Sequence, residues 1–417
     1  MLSALEGVGV AASFIYSAWL VARCSLALAR VRDEPELTDS AEADAVRPRR
    51  SVTLMQPILS GDPELEFVLS ETLARTPDWA RFLWLVDEGD AAGREVAERL
   101  ARADAGARVA VRLCPPSRFD QNPKSMKLAL GLSEVATPFV GVLDDDTIIG
   151  TANLCAALNV LGDDVRPGRA ELYTGLPSYD LPVTFGAPLA NALLASFVND
   201  SAALTYLPLQ RWLGAVSING MFYVAATERM RASDAFHAIE GELCDDYALA
   251  QLARREGWRI HQGSAGLRLR SSLVDLRAYR SQMHRWFVFG RVLVRDQPPG
   301  VRCALALAFG APPVLLWLSL AGACAGWLGA ASFAGVLSVR GTCLRRLGDV
   351  VFATRPGPRP ARRLVAGLVA ELAQPLHFMG ALVNPRIQWR SRAITVGRDG
   401  AFREACPAHR NEASRAE

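Results

Sequence analysis

The sequence predicts an α/β domain with a mostly parallel sheet, framed by membrane-crossing helices near both ends of the chain. Three observations carry this expectation. Between residues 51 and 143, short apolar runs alternate with helical patterns, the rhythm of strand–helix–strand units. Long apolar segments lie near the N-terminus and after residue 302. Half of the residues are hydrophobic, high for a soluble enzyme and low for a chain made only of spans.

The first segment, residues 2–22, is apolar apart from Glu6 and small polar groups. Its length is near the roughly 20 residues that cross a bilayer. A cleaved leader wants positive charge before the apolar run. Here Arg23, Arg30 and Arg32 follow it instead. Residues 1–30 are therefore read as an uncleaved anchor with its C-terminal side in the cytosol. Cleavage at Ala27-Leu28-Ala29 is the alternative. Residues 31–50 read as a charged linker.

The globular part follows. Strands are expected at 51–58, 81–86, 108–114 and 139–143, with helices at 63–74, 91–103 and 124–135. Residues 51–300 form the expected catalytic domain. In open sheets of this class, ligands bind beyond the carboxyl ends of the strands. Asp87 and Asp144 stand at two such ends. No G-x-G-x-x-G or P-loop motif occurs in a strand-to-helix setting.

Residues 303–339 carry no charge, enough for two short spans, so 301–340 is expected to be a hairpin. Gly310 and Pro312-Pro313 predict a kink or re-entrant break in its first half. Arg302, Arg340, Arg345 and Arg346 place both of its ends on one side. Residues 341–417 are read as a re-entrant or interfacial helix at 364–383 followed by a basic cytosolic tail. The catalytic domain would then face the cytoplasm of a multi-pass membrane protein.

Bulk charge excludes little but is useful. The formal net charge is +3, and scattered arginines flank apolar segments, so no nucleic-acid partner is expected. Eight cysteines form no C-x-x-C pair. Neither a zinc site nor a disulfide framework is expected, and the compartment reads as reducing.

Three polar clusters carry the chemistry. Asp144-Asp145-Asp146 directly follows an apolar strand. In extended chain Asp144 and Asp146 share a face, and hard carboxylate oxygens suit Mg2+ or Mn2+ shared with phosphates. The plainer reading is a solvated acidic turn. Asp245-Asp246 opens a helix that ends in Arg254-Arg255 and Gly257. N-capping and dipole compensation explain acids there, whereas a general base for an acceptor hydroxyl is the functional alternative. Gln282, Arg285 and Trp286 lie in a basic amphipathic stretch before the membrane block. Arginine grips phosphate bidentately, and tryptophan favours an interface. Asn122-Pro123-Lys124 reads as a helix start that could face donor phosphates through Lys124. His284 is read as packing or solvated.

In this order, the residues resemble the family 2-type glycosyltransferases of the GT-A fold, Rossmann-like α/β domains. Within these, the chain is most similar to the ceramide glucosyltransferase group and related bacterial lipid glycosyltransferases. That group shows three separated Asp sites and a (Q/R)-x-x-R-W motif, matched here by Asp87, Asp144, Asp246 and Gln282-x-x-Arg285-Trp286. Asn122-Pro123-Lys124, Gly175-Leu176-Pro177, Gly257-Trp258-Arg259 and the tail from Asn384 to Arg390 also look like this group.

The resemblance implies an inverting transfer of a hexose, glucose by default, from a UDP-sugar to a membrane-lipid hydroxyl. Ceramide is the default acceptor. Asp87 would contact the uracil end of the donor, and Asp144 with Asp146 would hold Mg2+ or Mn2+ on the diphosphate. Asp246 would be the base. Lys124 and Arg285 would face the donor, and Asp245, Gln282 and Trp286 the acceptor and diphosphate region. Cys244-Asp245-Asp246 stands where Glu-Asp is usual, and residues 181–218 match poorly, which leaves the acceptor open. Hopanoid or glycerolipid acceptors, a processive polysaccharide synthase and a membrane scaffold with a degenerate transferase domain are the alternatives.

Overall fold

The computed structural model describes residues 2–34, 51–118, 120–162, 170–180, 189–270, 272–352, 360–389, 392–396 and 402–404. Most of the expected linker, the end of the basic tail and Cys406 lie outside them.

The chain opens with helix α1 (Leu2–Arg32), then strand β1 (Val52–Ile58), α2 (Leu65–Arg75), β2 (Ala80–Asp87), α3 (Ala91–Ala103), β3 (Val109–Cys114), α4 (Pro123–Leu132) and β4 (Phe139–Leu143). These match the expected elements closely, because each apolar run is bounded by turn-forming residues. The short β5 (Thr147–Ile148), α5 (Thr151–Leu161), β6 (Leu172–Tyr179), α6 (Leu189–Leu213), β7 (Phe222–Ala226), α7 (Thr227–Ala232), α8 (Asp245–Arg255) and β8 (Ile260–Leu269) complete the sheet and its cover.

The eight strands run in the order β3-β2-β1-β4-β7-β6-β8-β5. β3, β2, β1 and β4 pair in parallel, as do β6 and β8. β7 runs antiparallel to both β4 and β6. The sheet is thus mostly parallel, as expected. β1 and β4 are buried along their whole length, which is why they read as continuous apolar runs rather than alternating ones.

The C-terminal part is helical: α9 (Leu276–Arg295), α10 (Pro299–Leu305), a π turn (Ala306–Gly310), α11 (Ala311–Ala325), α12 (Trp327–Val351) and α13 (Pro360–Val383). A small antiparallel sheet, β9 (Arg386–Trp389), β10 (Arg392–Val396) and β11 (Phe402–Glu404), follows. Among the described residues, four helical stretches are long and apolar enough to cross a membrane: Leu2–Arg32, Pro299–Ala325, Trp327–Val351 and Ala361–Val383. The protein is therefore read as a membrane protein. The apolar block expected to form a hairpin between 301 and 340 is divided at Gly326 into two helices, the second of which runs on to Val351. The chain stays helical through Pro312-Pro313, and the expected distortion takes the form of the π turn just before them. The segment read as re-entrant or interfacial is one continuous helix with Pro375 inside it.

Two details fix the membrane bundle. Gly9 of α1 meets Gly322 of α11 so closely that a Cβ on Gly9 would lie 2.3 Å from the Gly322 Cα. Only glycine permits that backbone approach. Glu6, the lone acid of the anchor, accepts from the N–H groups of Leu328 and Gly329 at 2.8 and 3.2 Å. It caps the start of α12, whose first amides have no partner within the helix.

Arg340 departs from expectation. The sequence places it beside the membrane block as a flanking charge. Because α12 continues to Val351, Arg340 is instead internal and 2% exposed. It pairs with Asp200 of α6 at 2.9 Å and with Glu371 of α13. Tyr16 of α1 accepts from Arg340 at 2.8 Å. One guanidinium thus joins three membrane helices to the catalytic domain.

Candidate active site

The site is built where β1, β2 and β4 end. Asp87 closes β2, and Asp144 follows β4 directly. Gln56 of β1 is fully buried and ties the strand ends together. Its Nε2 donates to the Asp144 carbonyl at 3.1 Å, and its Oε1 accepts from Trp84 Nε1 at 2.9 Å.

Residues 144–147 form a tight turn, with the Thr147 N–H donating to the Asp144 carbonyl at 3.2 Å. This corrects the extended geometry assumed from the sequence. The chain turns here between β4 and β5, so the strict alternation of an extended strand does not apply to the three carboxylates. Asp145 accepts from the Leu59 N–H at 2.8 Å and braces the loop after β1. Asp146 accepts from the Thr147 hydroxyl at 3.0 Å. Burial, together with the nearby Asp144 and Asp145 charges, pushes its carboxyl up to about 8.

Helix α4 supplies the counter-charges. Asn122 caps it, accepting from the Lys124 and Ser125 N–H groups at 2.9 and 3.4 Å. Its amide donates to the Glu242 carbonyl at 3.0 Å, which positions the segment leading into α8. Lys124 then lies 2.7 Å from Asp144 and 3.3 Å from Asp245, and donates to the Gly220 carbonyl at 3.1 Å. Burial disfavours its charge, but Asp144 and Asp245 outweigh this and hold it well above the usual lysine range. Lysine at this position therefore brings the first two acidic clusters together.

One turn on, Lys127 is 1% exposed and lies 2.8 Å from Asp87. It is absent from the residues singled out by sequence. The available signal is its spacing: Lys124 and Lys127 are i,i+3 neighbours and share one helix face.

Asp246 opens α8 beside Asp245. Its Oδ1 accepts from the Tyr247 N–H at 2.7 Å and from the Cys244 thiol at 3.0 Å. Burial and the neighbouring Asp245 push its carboxyl up to about 6. Burial and the Asp246 charge raise the Cys244 thiol well above its usual range, so it stays protonated and can donate. No side chain caps α8 at Cys244, so N-capping alone does not account for the acidic pair.

The third cluster lies on α9. Gln282 Oε1 accepts from Arg285 Nη2 at 2.7 Å. Tyr179, at the end of β6, lies within the fields of both Asp146 and Arg285, while burial raises its phenol well above the usual range. This links Arg285 electrostatically to the acidic turn. The Trp286 ring stacks on Phe197 of α6, with centroids 6.0 Å apart. The His284 Nε2–H donates to the Arg386 carbonyl at 2.9 Å.

Asp144 and Asp146 fit a divalent cation by chemistry: both offer hard oxygen donors, and the crowding by Asp144 and Asp145 that disfavours the Asp146 charge is what a cation at the turn would relieve. Among the described residues no group of three protein donors stands at metal-ligand spacing. Mg2+ typically uses only one or two carboxylates, with substrate phosphates completing its shell, so a pair suffices.

A family model described as glycosyl transferase family 21 matches residues 10–402. The chain belongs to glycosyl transferase family 21. It is a glycosyltransferase with helices long and apolar enough to cross a membrane. No curated protein matches it. Among solved structures, a Pyrobaculum calidifontis mannosyltransferase in complex with GDP-Man and Mn2+ is 17% identical, with 91% of this chain and 98% of that one covered and a TM-score of 0.46. The S. aureus TarS fragment 1–349 is 11% identical over 84% and 95%, with a TM-score of 0.36. Glucosyl-3-phosphoglycerate synthase of Mycobacterium tuberculosis, in complex with Mg2+ and UDP, is 18% identical over 60% and 83%, with a TM-score of 0.36. Family membership rests on the family match, which spans the anchor, the sheet and the C-terminal helices.

Proposed function

We propose that this family 21 enzyme moves a hexose, glucose by default, from a UDP-sugar to the hydroxyl of a membrane lipid, with inversion at the anomeric carbon. Ceramide is the first acceptor to test. The carrying observation is the Lys124 bridge, which sets Asp144 and Asp245 on one ammonium directly beside Asp246. A donor-side carboxylate and the acidic pair that includes the candidate base are thereby joined through one side chain beyond the strand ends.

Asp246 is the base. A carboxyl near 6 is mostly ionised at neutral pH yet basic enough to take a proton. It removes the acceptor hydroxyl proton as that oxygen forms its bond to the anomeric carbon. The bond from that carbon to the diphosphate oxygen breaks, and UDP leaves with the electron pair. Asp144 and Asp146 would hold Mg2+ or Mn2+ at the diphosphate, where a divalent cation offsets the leaving-group charge. Asp87, kept in place by Lys127, faces the uracil end. Arg285, oriented by Gln282, serves the diphosphate region. The topology supports a cytoplasmic catalytic domain: Glu6 and the Gly326 turn lie together at one end of the bundle, and Arg23, Arg30 and Arg32 mark the other.

The test is transfer from radiolabelled UDP-glucose into ceramide, diacylglycerol and hopanoid acceptors by membranes carrying wild-type or Asp246→Asn protein. Loss of a general base lowers the rate about 10²–10⁴-fold, with UDP-sugar binding retained. Label in another lipid would replace the acceptor. Binding without transfer to any acceptor, from any UDP-sugar, would overturn the enzymatic reading.

A further inference from the structure

Helix α13 is long and apolar enough to cross a membrane, yet both of its ends are tied to the catalytic domain. The first tie runs through α12. From the Gly326 turn this helix continues for 25 residues, about 37 Å at 1.5 Å per residue, and ends against β8. A Cβ on Gly266 of β8 would lie 2.9 Å from Phe352 Cδ1 and 3.3 Å from the Val351 carbonyl oxygen. Even fully extended, the chain from Phe352 to Pro360 reaches at most roughly 28 Å, less than the ~30 Å hydrocarbon core. So α13 starts on the side where α12 ends.

The second tie is at the other end. The Ala381 carbonyl accepts from Arg291 Nη1 of α9 at 2.9 Å. Ala381 and Ile387 pack with Val288 of α9 and with Leu243, which leads into α8. Between the two ties α13 is one helix, continuous through Pro375. A proline bends a helix without reversing it, so a helix about 36 Å long with both ends on one side has no room to cross and return.

Exposure along α13 follows the same logic. Val365, Val369, Leu372, Leu376, Met379 and Val383 recur at i, i+4, i+7, i+11, i+14 and i+18, one narrow stripe of an α-helix. Leu376 is 69% exposed and Val383 82%. The opposite side holds Ala366, Ala370 and Ala381, all buried, and the Glu371 carboxylate that pairs with Arg340. Large apolar groups therefore point outward, and small and charged ones face the protein. That is the reverse of a helix facing water, and it suits a bilayer surface. The stripe adjoins a candidate span: Trp317 Nε1 of α11 donates to the Leu372 carbonyl at 2.9 Å. The basic residue after the helix, Arg386, then stays on the side of Arg362 and Arg363 before it, in keeping with the positive-inside rule.

We propose that α13 does not cross the membrane but lies along its surface on the catalytic side, with the Val365–Val383 stripe set into the lipid and the opposite face holding α9. Of the four candidate spans, α1, α10 with α11, and α12 then cross. The helix that carries Gln282, Arg285 and Trp286 is thereby held at a fixed height over the lipid.

The test attaches one fluorophore to the full-length protein in liposomes, at Val365→Cys, Leu376→Cys or Val383→Cys, with Cys303, Cys324 and Cys406 replaced by serine. Quenching is read with lipids that carry a nitroxide near the headgroup or near the chain end. All three labels should be quenched more by the shallow nitroxide than by the deep one, with the same ratio at each position. In a crossing helix the first and last labels lie about 27 Å apart in depth, and Leu376→Cys is quenched most by the deep nitroxide. Unequal ratios, or no quenching, would overturn the proposal. A second measurement reads the side. In sealed vesicles, Asn384→Cys should react with an impermeant maleimide from the same side as Arg102→Cys of α3, and from the opposite side to Trp327→Cys beside the Gly326 turn. Reaction of Asn384→Cys from the Trp327→Cys side would show a crossing and overturn the proposal. Neither readout uses sugar transfer, so failure of the transferase reading would leave both intact.

Discussion

Two places in this molecule set a single cation between two carboxylates, and they serve opposite ends. At the sheet edge, Lys124 stands between Asp144 and Asp245. At the junction with the membrane bundle, Arg340 stands between Asp200 and Glu371. The side chains of Lys124 and Asp144 are 17% and 29% exposed; those of Arg340 and Glu371 are 3% and 12% exposed. Lysine is a compact, strongly hydrated charge that can change partners, whereas arginine offers a rigid fork to fixed ones. The first arrangement can admit phosphates and a metal. The second fastens helices together.

The largest expected effect tests that contrast on stability. Arg340→Met strands two buried carboxylates, and breaking a buried pair in this way costs about 3–5 kcal/mol. The variant should show a sharply lower melting temperature and poor yield in detergent. Lys124→Met leaves Asp144, 29% exposed, and Asp245, 16% exposed, without their cation, and water offsets more of that loss than it does for Asp200 and Glu371. It should melt above Arg340→Met while losing transfer. If the two variants melt alike, the division into lock and working site fails.

A second effect sharpens the donor side. Asp144→Asn keeps the shape of the turn and removes one charge from the candidate metal pair. UDP-sugar binding in the presence of Mg2+ or Mn2+ should weaken at least tenfold, about 1.4 kcal/mol, as measured by calorimetry. The same change at Asp87 should weaken UDP-sugar binding with or without metal, because the role proposed for Asp87 is at the uracil end and not among the metal ligands. A metal-dependent loss at both positions would contradict the assignment.

Much of this site is legible in the order of the amino acids. Apolar runs that stop at an aspartate locate Asp87 and Asp144, because a buried strand must end where a charge needs water or a partner. The helix at 91–103 and the strand at 139–143 have the bounds that their sequence signals predict, since period and end signals agree there. What is not legible depends on tertiary closure. Nothing local tells that Arg340 meets Asp200, which is 140 residues away, so a charge after an apolar block reads as a flank. Lys127 lies inside a helix whose first lysine carries the more obvious motif. The turn at 144–146 reads as extended because three like charges in a row suggest nothing about chain reversal. Trp286 satisfies an interface rule, yet its ring rests on Phe197.

The smallest effects concern the base, and there the signs decide. Asp246 has its carboxyl raised to about 6 by burial first and by Asp245 second. A base raised in this way is protonated and idle at lower pH. Transfer should therefore fall as pH drops through about 6 and reach a plateau above it. Asp245→Asn removes the neighbouring negative charge, which makes the carboxylate easier to form, so this limb should move to lower pH. Cys244→Ala acts in the other direction. Its thiol donates to Asp246 Oδ1 and so favours the ionised form. A thiol is a weak donor, so its loss should move the limb only slightly, to higher pH, with the plateau rate nearly unchanged. Opposite movements of one limb, followed as kcat/KM against pH, would mark Asp246 as the titrating group. A limb that ignores both neighbours would place the base elsewhere.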